Sequence, residues 1–325
     1  MRAVWYERQG PADEVLTVGE QPTPKPGPGE IRLRLHASGV NPSDCNRRRG
    51  GTPMEGPLVI PNSDGAGVVD AVGEGVSPQW LGRRAWLYNG QRGRALGTAA
   101  EWIALDQGLV TALPDDVSFA AGACLGIPGM TAYCAVFAFG PVAGKTVLVT
   151  GGAGAVGNYA VQLAAWGGAR VIATASGEKA EDARSAGADL VLDHRVDDLR
   201  ARIAEATSGR GVDHVVEVDF GGNLPLLPDI IANNGTLTAY ASRGDEQPRF
   251  PFYGLMRRNV GIRLIVLNSV ALPLRQAAQT AITAWLQAAP RLHRIAATFP
   301  LERTAAAHNA VEAGGKRGTV VVTVG

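Results

Sequence analysis

Through the first 120 residues the apolar positions come in short runs, each closed by Gly or Pro. Arg2–Tyr6, Ile31–Ala37, Gly67–Val72 and Trp102–Leu105 read as β-strands in a turn-rich, all-β region. The proline-rich stretch QPTPKPGPGE is short and reads as a connection between strands. From Ala120 the period changes. Phe119–Phe139 is Ala-rich and apolar, and it predicts a helix despite Pro128 and Gly129. Strands at Thr146–Thr150, Arg170–Ala175, Leu190–Leu192, His214–Val218 and Gly235–Ala241 then alternate with helices at Gly157–Trp166, Lys179–Ser185, Leu199–Thr207 and Pro225–Asn233. Apolar strands alternating with helices predict βαβ units around a parallel sheet. The chain closes on a helix, Leu274–Ala288, and a strand, Thr319–Val324, with no repeat of solenoid length.

The segment TVLVTGGAGAVGNYAVQLAAWGGARVIATA carries the strongest chemical signal. A buried-type strand runs into Gly152-x-Gly154-x-x-Gly157, a helix follows, and a second strand completes the unit. Gly152 is expected to make the tight turn, Gly154 to let backbone approach a pyrophosphate, and Gly157 to let the helix pack on the sheet. The helix start at Ala155 and Val156 then offers free N–H groups to the phosphates. An NAD site places an acid at the tip of the second strand. Here the tip reads Thr174-Ala175-Ser176-Gly177-Glu178-Lys179, without one. Small residues, a hydroxyl and Lys179 suit a 2′-phosphate, so NADPH is the expected cofactor. His194 and Arg195 follow the next strand, near the adenosine end or simply on the surface.

Composition narrows the function. The chain has 42 glycines among 325 residues, but no Gly-x-y period, and 46% of it is hydrophobic, so neither collagen nor disorder fits. Three cysteines exclude a disulfide framework and a four-cysteine zinc site. Cys45, Cys124 and Cys134 read as reduced cytoplasmic thiols. The start, MRAVWYERQG, is not a secretory signal, and no run is long enough to span a membrane. A net charge of +1 argues against an electrostatic nucleic-acid or membrane binder, and the triplet Arg47-Arg48-Arg49 is a small patch. The five histidines show no metal-ligand spacing, and His308 on a late helix reads as structural.

Several motifs in order resemble the medium-chain dehydrogenase/reductase superfamily. Within it, the chain is similar to the zinc-free quinone oxidoreductases of the zeta-crystallin type. They include Asn41-Pro42-x-Asp44 followed by Arg48 and Gly50, then Asp64-Gly65-Ala66-Gly67-Val68-Val69, and then the glycine loop with Gln162. Ala186-Gly187-Ala188-Asp189 leading to Asp193-His194-Arg195, Ser242-Arg243-Gly244, Ala307-His308 and Gly315-Lys316 complete the set, over nearly the whole chain. The resemblance matches the zinc-dependent relatives' three catalytic ligands to Asn41, Ser63 and about Ile127, none a zinc ligand of that set. Without a Lewis acid, an alkoxide loses its main stabiliser, which points to quinones and activated alkenes as acceptors.

The resemblance implies an α/β architecture. A GroES-like β-rich catalytic domain occupies 1–122 and 269–325, a Rossmann doubly wound parallel-sheet domain occupies 123–268, and substrate lies in the cleft between them. Asn41 is either a donor to the substrate carbonyl or nicotinamide ribose, or a turn residue before Pro42. Asp44 caps the short helix after Pro42 in preference to a catalytic role. Thr131 matches a position near the nicotinamide, with helix packing as the competing reading. Thr52 replaces a tyrosine that many relatives carry beside the active site. Tyr240, Ser242 and Arg243 are expected against the cofactor, Asn268 near the nicotinamide amide, and Lys316 or Arg317 at the 2′-phosphate. The expected function is a zinc-independent, NADPH-dependent oxidoreductase acting on a quinone or other α,β-unsaturated carbonyl. An enoyl-thioester or small-enone reductase and a non-enzymatic NADPH-binding structural or RNA-binding protein are the alternatives. A cytoplasmic homodimer is expected, paired through the apolar edge at Arg263–Leu267, with nucleic acid and membrane not expected as partners.

Overall fold

The computed structural model describes residues 1–288 and 291–325. Residues 289 and 290, inside the 269–325 segment expected to return to the first domain, lie outside the described residues. The chain divides into Met1–Pro128 with Leu286–Gly325 as one unit and Gly129–Trp285 as the other. The expected domain breaks stand at 122/123 and 268/269. Most of the helix Leu272–Ala288 therefore falls with the second unit, where its Trp285 meets Tyr159 edge-on at 5.9 Å.

The first unit carries β1 (Arg2–Trp5), β2 (Thr17–Glu20), β3 (Glu30–Val40), β4 (Asp64–Val72), β5 (Arg84–Leu87), β6 (Trp102–Asp106) and β7 (Val110–Ala112). The second carries β8 (Thr146–Val149), β9 (Arg170–Thr174), β10 (Leu190–Leu192), β11 (Val212–Glu217), β12 (Ile231–Ala239) and β13 (Gly261–Leu264). The last strands, β14 (Ile295–Pro300) and β15 (Thr319–Thr323), rejoin the first unit. In the first unit β1 pairs with β2, and a larger sheet runs β14-β15-β3-β4-β5-β7 with β6 added on β3. Its pairs are antiparallel except β14 with β15. Alternation explains β3: Ile31, Leu33 and Leu35 point into the core while Arg32 and Arg34 do not. The second unit is a six-stranded parallel sheet in the order β10-β9-β8-β11-β12-β13, the doubly wound arrangement. All four residues of β8 are buried, as a strand covered on both faces requires.

Three expectations change. The single helix over Phe119–Phe139 is broken into Phe119–Gly122, a π-type turn at Leu125–Gly129 and Met130–Val136. Pro128 cannot continue an α-helical ladder, and Gly126 sits outside helical geometry at φ −54°, ψ −111°. The helix over Pro225–Asn233 shrinks to Leu227–Ile230, because Ile231 already pairs with Val212 as part of β12. Strand β14 went unrecognised because its residues alternate between exposed and half-buried positions and form no apolar run.

A buried charge ties the ends of the first unit together. Arg48, on the helix Pro42–Arg49, has no solvent exposure. Its guanidinium reaches the Glu312 carboxylate and the Gly10 carbonyl, and Nε donates to His308 Nδ1 at 3.3 Å. That bond fixes the tautomer of His308: Nε2 keeps the proton and donates to Asn62 Oδ1 at 2.9 Å. Burial, reinforced by the charge of Arg48, pushes the imidazole down to about 3, so His308 stays neutral. Replacing Glu312 with Ala leaves the Arg48 charge without its counter-ion, and is expected to lower the unfolding free energy by about 3 kcal/mol. Urea titration checks it; an unchanged midpoint contradicts it.

Candidate active site

Chemistry at the end of β8 begins with packing. Thr150 accepts from the Val218 amide (2.9 Å) and donates to the Glu217 carboxylate (2.8 Å), so β8 and β11 are locked together where the chain leaves the sheet. Glu217 is fully buried, and burial raises its carboxyl above the usual range. The chain then turns at Gly151, which holds φ +65°, a conformation that favours glycine. This corrects the role expected of Gly152. Gly152 has an ordinary φ but packs on β9, where an added Cβ would stand 2.9 Å from that of Ala173. Gly154 is the N-cap of the helix Ala155–Trp166. A Cβ on Gly157 would fall within contact distance of the Gly151 carbonyl, so the helix can start against the turn only if residue 157 is glycine. The amides of Ala155, Val156 and Gly157 have no hydrogen-bond acceptor among the described residues. They form the free N-terminus of a 12-residue helix, an anion-binding arrangement.

The neighbouring strand tips supply the rest of this rim. After β9, Ser176 Oγ meets His194 Nδ1 at 3.1 Å, and half-buried Lys179 opens the next helix. Sequence reading quoted Asp193 within a family motif but gave it no role at the site. Its carboxylate accepts the Arg195 amide at 3.0 Å and, across the strands, the Gly177 amide at 3.1 Å. Those two amides hold its carboxyl below the ordinary range. Beyond β12 lies half-buried Tyr240, followed by Ser242, which accepts the Gly221 amide at 2.9 Å. The Asp219 carboxylate accepts the Arg243 and Gly244 amides, each at 2.8 Å, leaving the Arg243 side chain exposed. Asn268 follows β13, half-buried. Gly152, Gly154, Ala155, Val156, Gly157, Ser176, Lys179, His194, Tyr240, Ser242, Arg243 and Asn268 thus all follow carboxyl ends of one parallel sheet. The strand order reverses between β8 and β11, the switch point where doubly wound sheets bind ligands. Lys316 belongs to the other unit and donates to the Gly318 carbonyl at 2.9 Å.

In the first unit, the positions matched to the relatives' zinc ligands bond to two carboxylates, Asp64 and Asp44. Asn41 Nδ2 and the Ile127 amide both donate to Asp64 Oδ2, at 2.7 and 2.8 Å. Ser63 Oγ donates to Asp44 Oδ1 at 2.7 Å, and the Asn41 amide to Asp44 Oδ2 at 2.8 Å. Asp44 therefore takes the capping role expected of it. Asn41 is a buried N-cap whose amide is partly committed to Asp64. This set does not fit zinc: a carboxamide, a hydroxyl and a backbone amide replace imidazole and thiolate ligands. No group of three or more His, Cys, Asp or Glu stands ready to hold a metal among the described residues. Asp64 is raised well above the usual range by burial first and Asp44 second. Thr52 is exposed, and its carbonyl accepts from Gln9 at 2.6 Å. Thr131 belongs to the second unit and is buried on the helix Met130–Val136.

Gly157→Ala is expected to destabilise the protein by about 1–3 kcal/mol through overpacking against the turn. Gly154→Ala, whose Cβ would stand 3.3 Å from the Gly151 oxygen, should cost less; equal unfolding midpoints contradict this. Asp64 gives a pH dependence of definite sign. Its folded-state pKa lies above the unfolded value of about 4, so the native state holds an extra proton between the two. Stability should fall as pH rises through that window, and Asp64→Asn should flatten the slope; denaturant titrations giving parallel slopes rule it out.

Residues 27–115 match the alcohol dehydrogenase GroES-like domain, and residues 155–285 match the zinc-binding dehydrogenase family. Human quinone oxidoreductase is 31% identical over 331 residues, covering 99% of this chain and 97% of that protein. A chloroplastic NADPH-dependent alkenal/one oxidoreductase of Arabidopsis thaliana is 31% identical over 258 residues, 75% of this chain and 67% of its own. A mycobacterial protein solved in complex with NADPH superposes with a TM-score of 0.85 at 29% identity, over 100% of both chains. The family description names zinc, but the donor set around Asp64 does not provide for it. The glycine turn, the doubly wound sheet and these relationships agree: the chain belongs to the medium-chain dehydrogenase/reductase superfamily, with the quinone oxidoreductase-like members.

Proposed function

We propose that this protein transfers hydride from NADPH to a quinone or another α,β-unsaturated carbonyl. The free amides of Ala155, Val156 and Gly157, at the switch point of the parallel sheet, carry the reading. They bind the pyrophosphate. Ser176, Lys179, His194 and Arg243 receive the adenosine phosphate end, and Asn268 holds the nicotinamide amide. Bound in this way, NADPH supplies the hydride. The chain's own work is to hold donor and acceptor planes together and exclude water. Asn41 has one amide hydrogen on Asp64, leaving the other to orient the acceptor or the nicotinamide ribose. Thr131 packs on the nicotinamide side.

The acceptor class follows from charge. Reducing a simple ketone builds a localised alkoxide, and Asn41, Ser63 and Ile127 offer no Lewis acid for it. A quinone or enone spreads that charge through conjugation. A small enone is favoured as the second reading by Thr52, which puts a small exposed side chain where an aromatic ring would stack on a quinone.

Among the described residues no helix is long and apolar enough to cross a membrane. We assign the protein to the cytoplasm as a homodimer paired along β13. Among the described residues that strand bonds only β12, and Leu264 and Val266 are 68% and 61% exposed beside it. Loss of NADPH absorbance, followed with separate panels of quinones and small enones, tests the activity. At least one panel should accelerate it, with NADH the poorer donor. If neither does while NADPH still binds, the enzymatic reading gives way to the non-enzymatic one.

A further inference from the structure

The tip of β9 lacks the acid that would bond an unphosphorylated ribose, yet the fold delivers one there from the next strand. Asp193 follows β10, and β10 lies beside β9 in parallel register, with Leu192 opposite Thr174. Its Oδ2 accepts the amide of Gly177, the residue that turns the chain after β9 at φ +57°. Its Oδ1 accepts the Arg195 amide, and its own amide donates to the Asp197 carboxylate at 2.7 Å. Ser176, on that turn, meets His194, from the turn after β10, at 3.1 Å, with Lys179 just beyond Ser176. The ribose of the adenosine half lies past the carboxyl end of this second strand. The rim here therefore holds a fixed anion beside the Lys179 cation, and that anion already accepts the Gly177 amide.

We propose that Asp193 sets how far this protein prefers NADPH over NADH. Its carboxylate repels a 2′-phosphate and occupies the Gly177 amide, while its remaining lone pairs accept from an unphosphorylated ribose hydroxyl. Lys179 offsets the repulsion. The preference for NADPH is thus a narrow balance of opposite charges across one turn. The local alternative is that Asp193 only shapes its own loop, as a residue bonding the amide two positions on commonly does. The Gly177 bond goes beyond that, because it joins residues 16 apart in the chain.

The proposal rests on the NADPH reading, and direct binding separates the two. NADPH and NADH are titrated into the full chain by calorimetry at low salt. Asp193→Asn keeps an acceptor for the Arg195 amide and removes the charge. It should raise the ratio of Kd for NADH to Kd for NADPH on the order of five- to tenfold, and added salt should shrink the gain. Asp193→Ser should move the ratio the same way, which guards against a folding defect in one variant. Lys179→Gln should move it in the opposite direction. A purely structural role predicts that both affinities fall together. A ratio unmoved in both Asp193 variants, or shifted towards NADH, overturns the proposal while leaving the cofactor assignment intact. A wild-type chain that binds neither dinucleotide overturns that assignment itself.

Discussion

Arg48 carries a full positive charge at a position with no solvent exposure, and an unpaired ion there would cost several kcal/mol. The surrounding elements are placed to answer it. Glu312 from the C-terminal helix supplies the counter-charge, Gly10 a carbonyl, and His308 an imidazole nitrogen. The answer propagates. His308 donates to Asn62, Asn62 to Ser38, and the Ser38 and Thr98 hydroxyls meet at 2.7 Å. Thr98 then donates to the carbonyl of Asp64. One directional chain of hydrogen bonds therefore runs from a buried cation to the residue that orients Asn41. A half-satisfied network of this kind is costly, so the late helix and the first motif have to be placed together.

The second unit depends on space more than on charge. The helix that presents its amides to an anion can begin only where the Gly151 carbonyl leaves room, and residue 157 has no Cβ to fill it. This is why the pattern of that unit could be read from the chain alone. Apolar runs marked β8, β9, β10 and β11 to within two residues, and the spacing of glycines marked the turn. The spacing did not say which glycine bends backwards. Gly151 precedes the motif proper, and only its adjacency to Gly152 in a Gly-Gly pair hinted at it.

What the sequence hid has a common physical origin. Strand β14 lies at a sheet edge with exposed and half-buried positions, so it lacks the run of large β-branched residues that marks a covered strand. The helix expected across Pro128 failed because tertiary packing accepted a π-type turn that propensity does not forecast. At the candidate site, Asn41, Ser63 and Ile127 were legible as residues in the positions of lost metal ligands. The meeting of Asn41 and Ile127 on a single carboxylate was not, because Asp64 Oδ2 collects donors 23 and 63 residues away along the chain. Burial pushes both carboxyl groups of this cluster, Asp44 and Asp64, towards the protonated form.

Nucleotide preference exposes the limit of reading charge along a chain. The spacing rule looks for an acid at the end of the second strand, about 20 residues past the glycine loop. Along the chain, the residues of this turn look permissive for a phosphate. In the folded sheet the third strand runs parallel to the second and ends level with it, so a carboxylate beyond its last residue reaches the same turn. Sequence distance and electrostatic distance part company wherever parallel strands end together, and the carboxyl rim of a doubly wound sheet is such a place. The charges that a dinucleotide meets there are set by neighbouring strands jointly, which is why the acid missing from β9 does not by itself decide the cofactor.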